Sequence, residues 1–85
     1  IEINATKPVR VTAFKAAHRG EGFILRLRAY QIPQSSVTIH LSQGPIKAAS
    51  LCDARERDLK PLEVEKGMIT LSLTDTLTTL RLILD

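Results

Sequence analysis

The sequence predicts an all-β chain folded as a single antiparallel β-sandwich of about seven short strands. Apolar and polar residues alternate with a period of two along several segments, and Gly, Pro, Ser or Asp residues separate those segments. The segments also recur at the ~8–12-residue spacing that is typical of sandwiches. A small open barrel is an alternative, because strand pattern alone does not distinguish the two architectures.

The clearest strand pair lies near the start of the chain. Residues 9–15 and 23–30 alternate in polarity, and a short polar turn that contains glycines joins them. Leu27 belongs to the main apolar row of the second strand. Phe14 and Ile24 are apolar residues on the opposite face of their strands, so we expect this sheet to be covered on both faces.

Alternating segments continue along the rest of the chain. Glu65-Lys66-Gly67 predicts the turn of a hairpin. The segment that ends at Cys52 is the least regular, because Ala48, Ala49 and the charged stretch 53–57 that follows could also form a helical turn. The further predicted strands are 37–41, 46–52, 62–64, 68–73 and 77–84.

The composition is typical of one folded domain and does not favour a strongly charged partner such as nucleic acid. Of the 85 residues, 44% are hydrophobic and 25% are charged, which is ordinary for a soluble globular chain. The formal net charge of +3 is too small and too dispersed to favour nucleic acid as a partner. No apolar run approaches the ~20 residues of a membrane helix, so we expect no membrane partner. No targeting segment is visible, and we expect a cytoplasmic location.

The sequence offers no constellation of catalytic, cofactor-binding or metal-binding residues. A zinc site needs three or four converging ligands, whereas His18 falls in a predicted turn and His40 on the polar face of a strand. Cys52 is the only cysteine, which excludes an internal disulfide and predicts a buried thiol. We therefore predict no catalytic residue, no cofactor and no metal in this chain.

Carboxylates are concentrated in the stretch 53–65, where basic residues interleave with them. This pattern predicts a solvated surface with weak ion pairs rather than an acid–base pair. The acidic residues are Asp53, Glu56, Asp58, Glu63 and Glu65.

Two segments resemble a known family. Residues 11–28 contain VTAFK and GEGFILRLR, and residues 77–82 read LTTLRL. Both are similar to the C-terminal β-sandwich module of the alpha-mannosidase-like glycoside hydrolases, family thirty-eight, and we expect a bacterial member. The resemblance implies an immunoglobulin-like or galactose-mutarotase-like accessory sandwich. Residues 1–85 would then be one C-terminal domain of a larger multidomain hydrolase.

The resemblance also implies a function. The chain would be a non-catalytic domain that supports a separate catalytic domain, which hydrolyses alpha-mannosidic bonds and holds zinc or another divalent metal. Its partners would be the catalytic and other domains of the parent, together with the parent's carbohydrate substrate. The alternative is an autonomous carbohydrate- or protein-binding module. With no Trp, one Tyr and two Phe, the chain has few rings to stack on sugars, and Tyr30 is the candidate platform.

The same resemblance suggests where another domain would bind. Arg26 occupies the family's Leu-Arg-Leu position, whereas Arg28 stands where an aromatic residue is more usual. An arginine on a strand can anchor a neighbouring domain by pairing with a carboxylate, or it can simply lie on the outer sheet face. Phe14, Arg26 and Arg28 are the predicted interdomain contact. An uncovered apolar face beside open sheet edges also predicts that the isolated chain self-associates.

Overall fold

This computed structural model describes residues 1–18 and 20–84. These residues form nine β-strands joined by turns and contain no helix. Every strand pair is antiparallel. The strands are β1 (Glu2–Asn4), β2 (Val9–Ala16), β3 (Phe23–Ala29), β4 (Gln34–His40), β5 (Ile46–Cys52), β6 (Asp58–Leu62), β7 (Val64–Glu65), β8 (Met68–Leu73) and β9 (Leu77–Leu84).

The strands form two sheets that pack on each other. The four-stranded sheet has the order β1-β4-β8-β7, and the five-stranded sheet has the order β2-β3-β9-β5-β6. The predicted all-β sandwich is confirmed, and the open-barrel alternative is wrong because the strands form two separate sheets. The predicted strand 62–64 divides at Glu63: β6 joins the larger sheet and β7 joins the smaller one.

The core lies between the sheets and is built from the alternating apolar rows. In the five-stranded sheet Leu25 pairs with Leu80 across β3 and β9, and both are buried. In the four-stranded sheet Ile39 pairs with Ile69 across β4 and β8. Other buried members of the same cluster are Leu27, Ala29, Val37, Leu41, Ile46, Ala49, Leu73 and Leu82. Burial of these side chains is the main stabilising contribution to a chain of this size.

A β-bulge in β2 places Phe14 on the core side of the sheet. The register with β3 shifts between Val11 and Ala13, so that Phe14 lies opposite the buried Leu25. Phe14 packs against the core, and its ring stacks on Phe23 with the two centroids 5.4 Å apart. The prediction that Phe14 faces away from the main apolar row is wrong, because one extra residue inverts the alternation beyond it.

The hairpin at residues 65–67 agrees with the sequence prediction, whereas residues 53–57 and the start of β4 refine it. The predicted hairpin at Glu65-Lys66-Gly67 is confirmed: Lys66 and Gly67 form its loop, with φ of 54° and 75°. Residues 46–52 form strand β5, and residues 53–57 form a turn rather than a helix. Strand β4 begins at Gln34, earlier than predicted, and its register with β8 shifts before Val37.

Truncating a core leucine should destabilise the chain far more than trimming a polar strand residue. Leu27 is fully buried in the cluster, so Leu27→Ala should lower the free energy of unfolding by about 2–5 kcal/mol. Thr38 lies on the other face of β4, where its hydroxyl meets that of Thr70 at 3.2 Å, so Thr38→Ala should cost much less. Equal denaturant midpoints for the two variants would contradict this assignment of the faces.

Candidate functional site

The outer face of the five-stranded sheet, which points away from the core, carries the chain's most unusual arrangement of polar and apolar residues. Side chains alternate between the two faces along β3, so the residues that alternate with the core leucines lie on the outer face. Each of them lies opposite a residue of β9, and the cross-strand pairs are Ile24 with Arg81, Arg26 with Thr79 and Arg28 with Leu77. The outer face is closed near the first pair and open near the third.

At the closed end, residues of this chain cover the sheet. Ile24 is 0% exposed although it lies on the outer face. The turn between β2 and β3 and the turn between β5 and β6 meet above it, since the backbone N–H of His18 in the first turn donates to Glu56 Oε1 in the second at 2.8 Å. The apolar residues on both faces of β3 are therefore buried at this end without a second domain.

Arg81 is the centre of this cover. Its side chain is buried, and its guanidinium donates to three acceptors on two segments, the turn between β2 and β3 and residues 56–58. Nη1 donates to the carbonyl oxygen of Glu21 at 2.7 Å, Nη2 to that of Glu56 at 2.6 Å, and Nε to Asp58 Oδ1 at 2.9 Å. These hydrogen bonds offset the cost of removing a charge from water.

Glu56 supplies the buried negative charge of the same network. The residue is 6% exposed, and its backbone lies in the left-handed region with φ of 64°. Oε2 accepts a hydrogen bond from Lys15 Nζ at 3.0 Å and lies 3.9 Å from Arg26 Nη2. The prediction of a solvated carboxylate is wrong for Glu56, because its turn folds onto the sheet. It is right for Glu63 and Glu65, which are exposed, whereas Asp58 is exposed but pairs with the buried Arg81.

Asp53 shapes the turn that presents Glu56. Its Oδ1 accepts hydrogen bonds from the backbone N–H groups of Arg55 and Arg57 at 2.8 and 3.0 Å, and its Oδ2 accepts one from Arg57 Nε at 2.7 Å. The backbone hydrogen bond from Arg57 is the main cause that lowers the pKa of Asp53. An Asp whose side chain accepts a hydrogen bond from the backbone N–H two residues ahead is a known turn signal. Sequence reasoning missed it because it considered only the charge pattern of residues 53–65.

Cys52 and Asp58 form a second polar contact beside Arg81. The buried thiol, which bears out the sequence prediction, donates to Asp58 Oδ1 at 3.2 Å. Burial first, and then this hydrogen bond, raise the pKa of Cys52 to about 11. The hydrogen bond from Arg81 is the main cause that lowers the pKa of Asp58. The thiol is thus held neutral and the carboxylate ionised.

The open end of the outer face contains a cavity of about 420 Å³, here called the outer-face cavity. Leu59 and Leu77 line it and are 61% and 64% exposed, which is unusual for leucines. Arg26 forms part of its wall, where Nη2 donates to the carbonyl oxygen of Ala54 at 3.2 Å. Thr12 and Thr79 contribute further lining.

The structure separates the three residues predicted to contact another domain. Arg26 is half-buried in the wall of the cavity, and Arg28 is exposed one row away, with its guanidinium carbon 5.6 Å from the ring centroid of Tyr30. Phe14 packs on the core side instead. Sequence reasoning missed Leu59 and Leu77, because an isolated leucine in a strand pattern is indistinguishable from a core residue.

The histidines and acidic side chains of the described residues are not gathered into a metal-binding group. Within residues 1–18 and 20–84, no three His, Cys, Asp or Glu side chains are grouped so that they could hold a metal ion. His18 and His40 are both exposed, and His40 Nδ1 lies 3.6 Å from Glu2 Oε2. The described residues contain no helix long and apolar enough to cross a membrane.

Comparison with known families agrees with the fold. The model of the glycosyl hydrolases family 38 C-terminal beta sandwich domain matches residues 8–80. The chain belongs to this family. The resemblance read from the VTAFK, GEGFILRLR and LTTLRL segments is confirmed. The match includes the residues that line the outer-face cavity and the acceptors of Arg81, and it ends one residue before Arg81 itself. No curated protein and no solved structure shows significant similarity to the chain.

Removing the guanidinium of Arg81 should destabilise this family 38 domain. Arg81→Met keeps much of the side-chain length but removes the donor to the carbonyl oxygens of Glu21 and Glu56 and the charged donor to Asp58, and we expect a loss of about 3 kcal/mol. Arg57→Met is the matched control, because Arg57 is exposed and its pair with Asp53 lies at the surface. Urea unfolding measures both variants. Equal midpoints would show that the Arg81 network contributes little to stability.

Cys52 should react slowly with thiol reagents in the folded chain. A pKa raised from 9.0 to about 11 lowers the thiolate fraction about 100-fold at pH 8, and burial slows attack further. The rate with a disulfide reagent should therefore be far lower in buffer than in urea. Asp58→Asn should shift the pH dependence of the native rate downward, whereas Asp75→Asn should not. A native rate equal to the rate in urea would contradict both the burial and the raised pKa.

Proposed function

We propose that this family 38 C-terminal sandwich is a non-catalytic accessory domain that binds the catalytic domain of an alpha-mannosidase-type glycoside hydrolase. The observation that carries the proposal is the outer-face cavity with its two exposed leucines, on a chain whose family is defined as a C-terminal domain of such enzymes. The outer face would be the contact surface, and the core sandwich would hold it rigid.

The two ends of the outer face support this assignment. At the closed end the chain's own turns cover Ile24, so the structure needs no partner there. At the open end Leu59 and Leu77 expose apolar surface beside Arg26, and exposed apolar patches rimmed by polar residues are typical of protein contact sites. Arg26 and Arg28 of the predicted contact belong to this proposal, whereas Phe14 acts through the core.

A catalytic or sugar-binding role would need groups of a different kind. In the described part of the chain, the buried carboxylate of Glu56 is paired with Lys15, and the buried thiol of Cys52 has a raised pKa. The ring of Tyr30 has the guanidinium of Arg28 near one side. The parent's catalytic domain would therefore supply the acid, the nucleophile and any divalent metal.

The proposal predicts the effect of charging the outer-face cavity. In the full-length parent enzyme, Leu59→Asp together with Leu77→Asp should reduce alpha-mannosidase activity or lower the unfolding temperature of the catalytic domain, because two carboxylates would be buried in the contact. The chain by itself should keep its fold, since both residues are exposed in it. Leu59→Ser with Leu77→Ser should have an intermediate effect.

Two results would contradict the proposal. One is a parent enzyme in which the aspartate variant has unchanged activity and unchanged stability. The other is chelator-sensitive hydrolysis of an aryl alpha-mannoside by the isolated chain. Binding of mannose oligosaccharides to the isolated chain would instead favour the alternative of an autonomous carbohydrate-binding module.

A further inference from the structure

Arginines face each other at the open end of the outer face. Arg10 of β2 lies directly opposite Arg28 of β3, and Arg28 lies opposite Leu77 of β9 on its other side. These three residues form one row across the sheet, here called the basic row. All three are exposed. The basic row adjoins the outer-face cavity, because Leu77 belongs to both.

The positive charge of the basic row is not compensated within the described part of the chain. Like charges directly opposite each other in a sheet are destabilising. Among residues 1–18 and 20–84, no acidic side chain forms an ion pair with Arg10 or Arg28. The next row differs, since Arg26 is within 3.9 Å of Glu56. Arg10 and Arg28 therefore repel each other across the sheet, and a negative charge supplied from outside would relieve that repulsion.

The ring of Tyr30 positions the guanidinium of Arg28 for binding a negatively charged partner. Its guanidinium carbon lies 5.6 Å from the ring centroid of Tyr30, a cation–π distance that restricts the side chain and leaves its edge donors available. A guanidinium held in place loses less conformational entropy when it binds a carboxylate. The exposed Leu77 beside it offers apolar contact rather than further hydrogen bonds.

We propose that the basic row and the outer-face cavity bind an acidic protein segment of the parent enzyme, in which carboxylates pair with Arg10 and Arg28 and an apolar side chain fills the cavity beside Leu59 and Leu77. This inference rests on the proposed function and adds the chemistry of the partner. Carboxylates suit the arginines because they accept both donors of a guanidinium edge. The leucines favour a protein segment, since nucleic acid is bound mainly by charge and stacking rings.

Zero-length cross-linking tests the proposal in the full-length parent enzyme. Arg28→Lys keeps the positive charge and introduces an amine that a carbodiimide can join directly to a contacting carboxylate. Mass spectrometry should find position 28 linked to an Asp or Glu outside residues 1–85 of the same polypeptide. The link should be lost in 1 M NaCl, where the screening length falls to ~3 Å. The exposed Lys47 and Lys60 are internal controls and should not link to that carboxylate.

Three outcomes would overturn the proposal: no cross-link from position 28, links only to residues of this chain, or links to a second copy in a mixture of isotopically labelled and unlabelled enzyme. The last outcome would show self-association instead. The aspartate variants at Leu59 and Leu77 give a separate readout. If they impair the parent while position 28 forms no link, the accessory role stands and the acidic partner is wrong.

Discussion

The guanidinium of Arg81 is the interaction on which the arrangement of the outer face depends. Its hydrogen bonds reach Glu21 in the turn after β2 and residues 56–58, which lead into β6, two segments that are distant in sequence. A buried charge is tolerated only when its donors are satisfied, so these segments must converge around it. Glu56, brought in by the same turn, adds the opposite charge and contacts Lys15. The result is that polar side chains and turns cover Ile24 on the outer face of the sheet.

This cover divides one sheet into two functional halves. The half around Ile24 and Arg81 is completed by the chain itself and serves stability. Within residues 1–18 and 20–84, the half around Leu77 and Arg28 is exposed, and it combines apolar surface with arginines that form no ion pair there. An accessory domain needs a stable half as well as an exposed half, because a contact surface is useful only when the structure beneath it is rigid. The proposed contact with a catalytic domain follows from that division.

The fold was largely predictable from the sequence, whereas the candidate site was predictable only in part. Period-two alternation identified the strands, and Gly67 identified a hairpin, because those signals are local. The outer-face position of Arg26 followed from the same alternation. Burial of Glu56 did not, since it depends on a turn that folds onto a strand far away in sequence. Phe14 was assigned to the wrong face because the bulge at Thr12 leaves no clear mark in the polarity pattern.

The sequence by itself determined the fold class, the main core leucines and the family, because strand periodicity and the GEGFILRLR and LTTLRL segments are carried by neighbouring residues. Tertiary structure decided which charges are buried and which apolar residues stay exposed. Leu77 and Arg81 lie on the same outer face of β9, yet Leu77 is 64% exposed and Arg81 is 7% exposed. The difference arises because two turns that are distant in sequence meet over the Arg81 end of this face, and no local sequence pattern specifies where they meet.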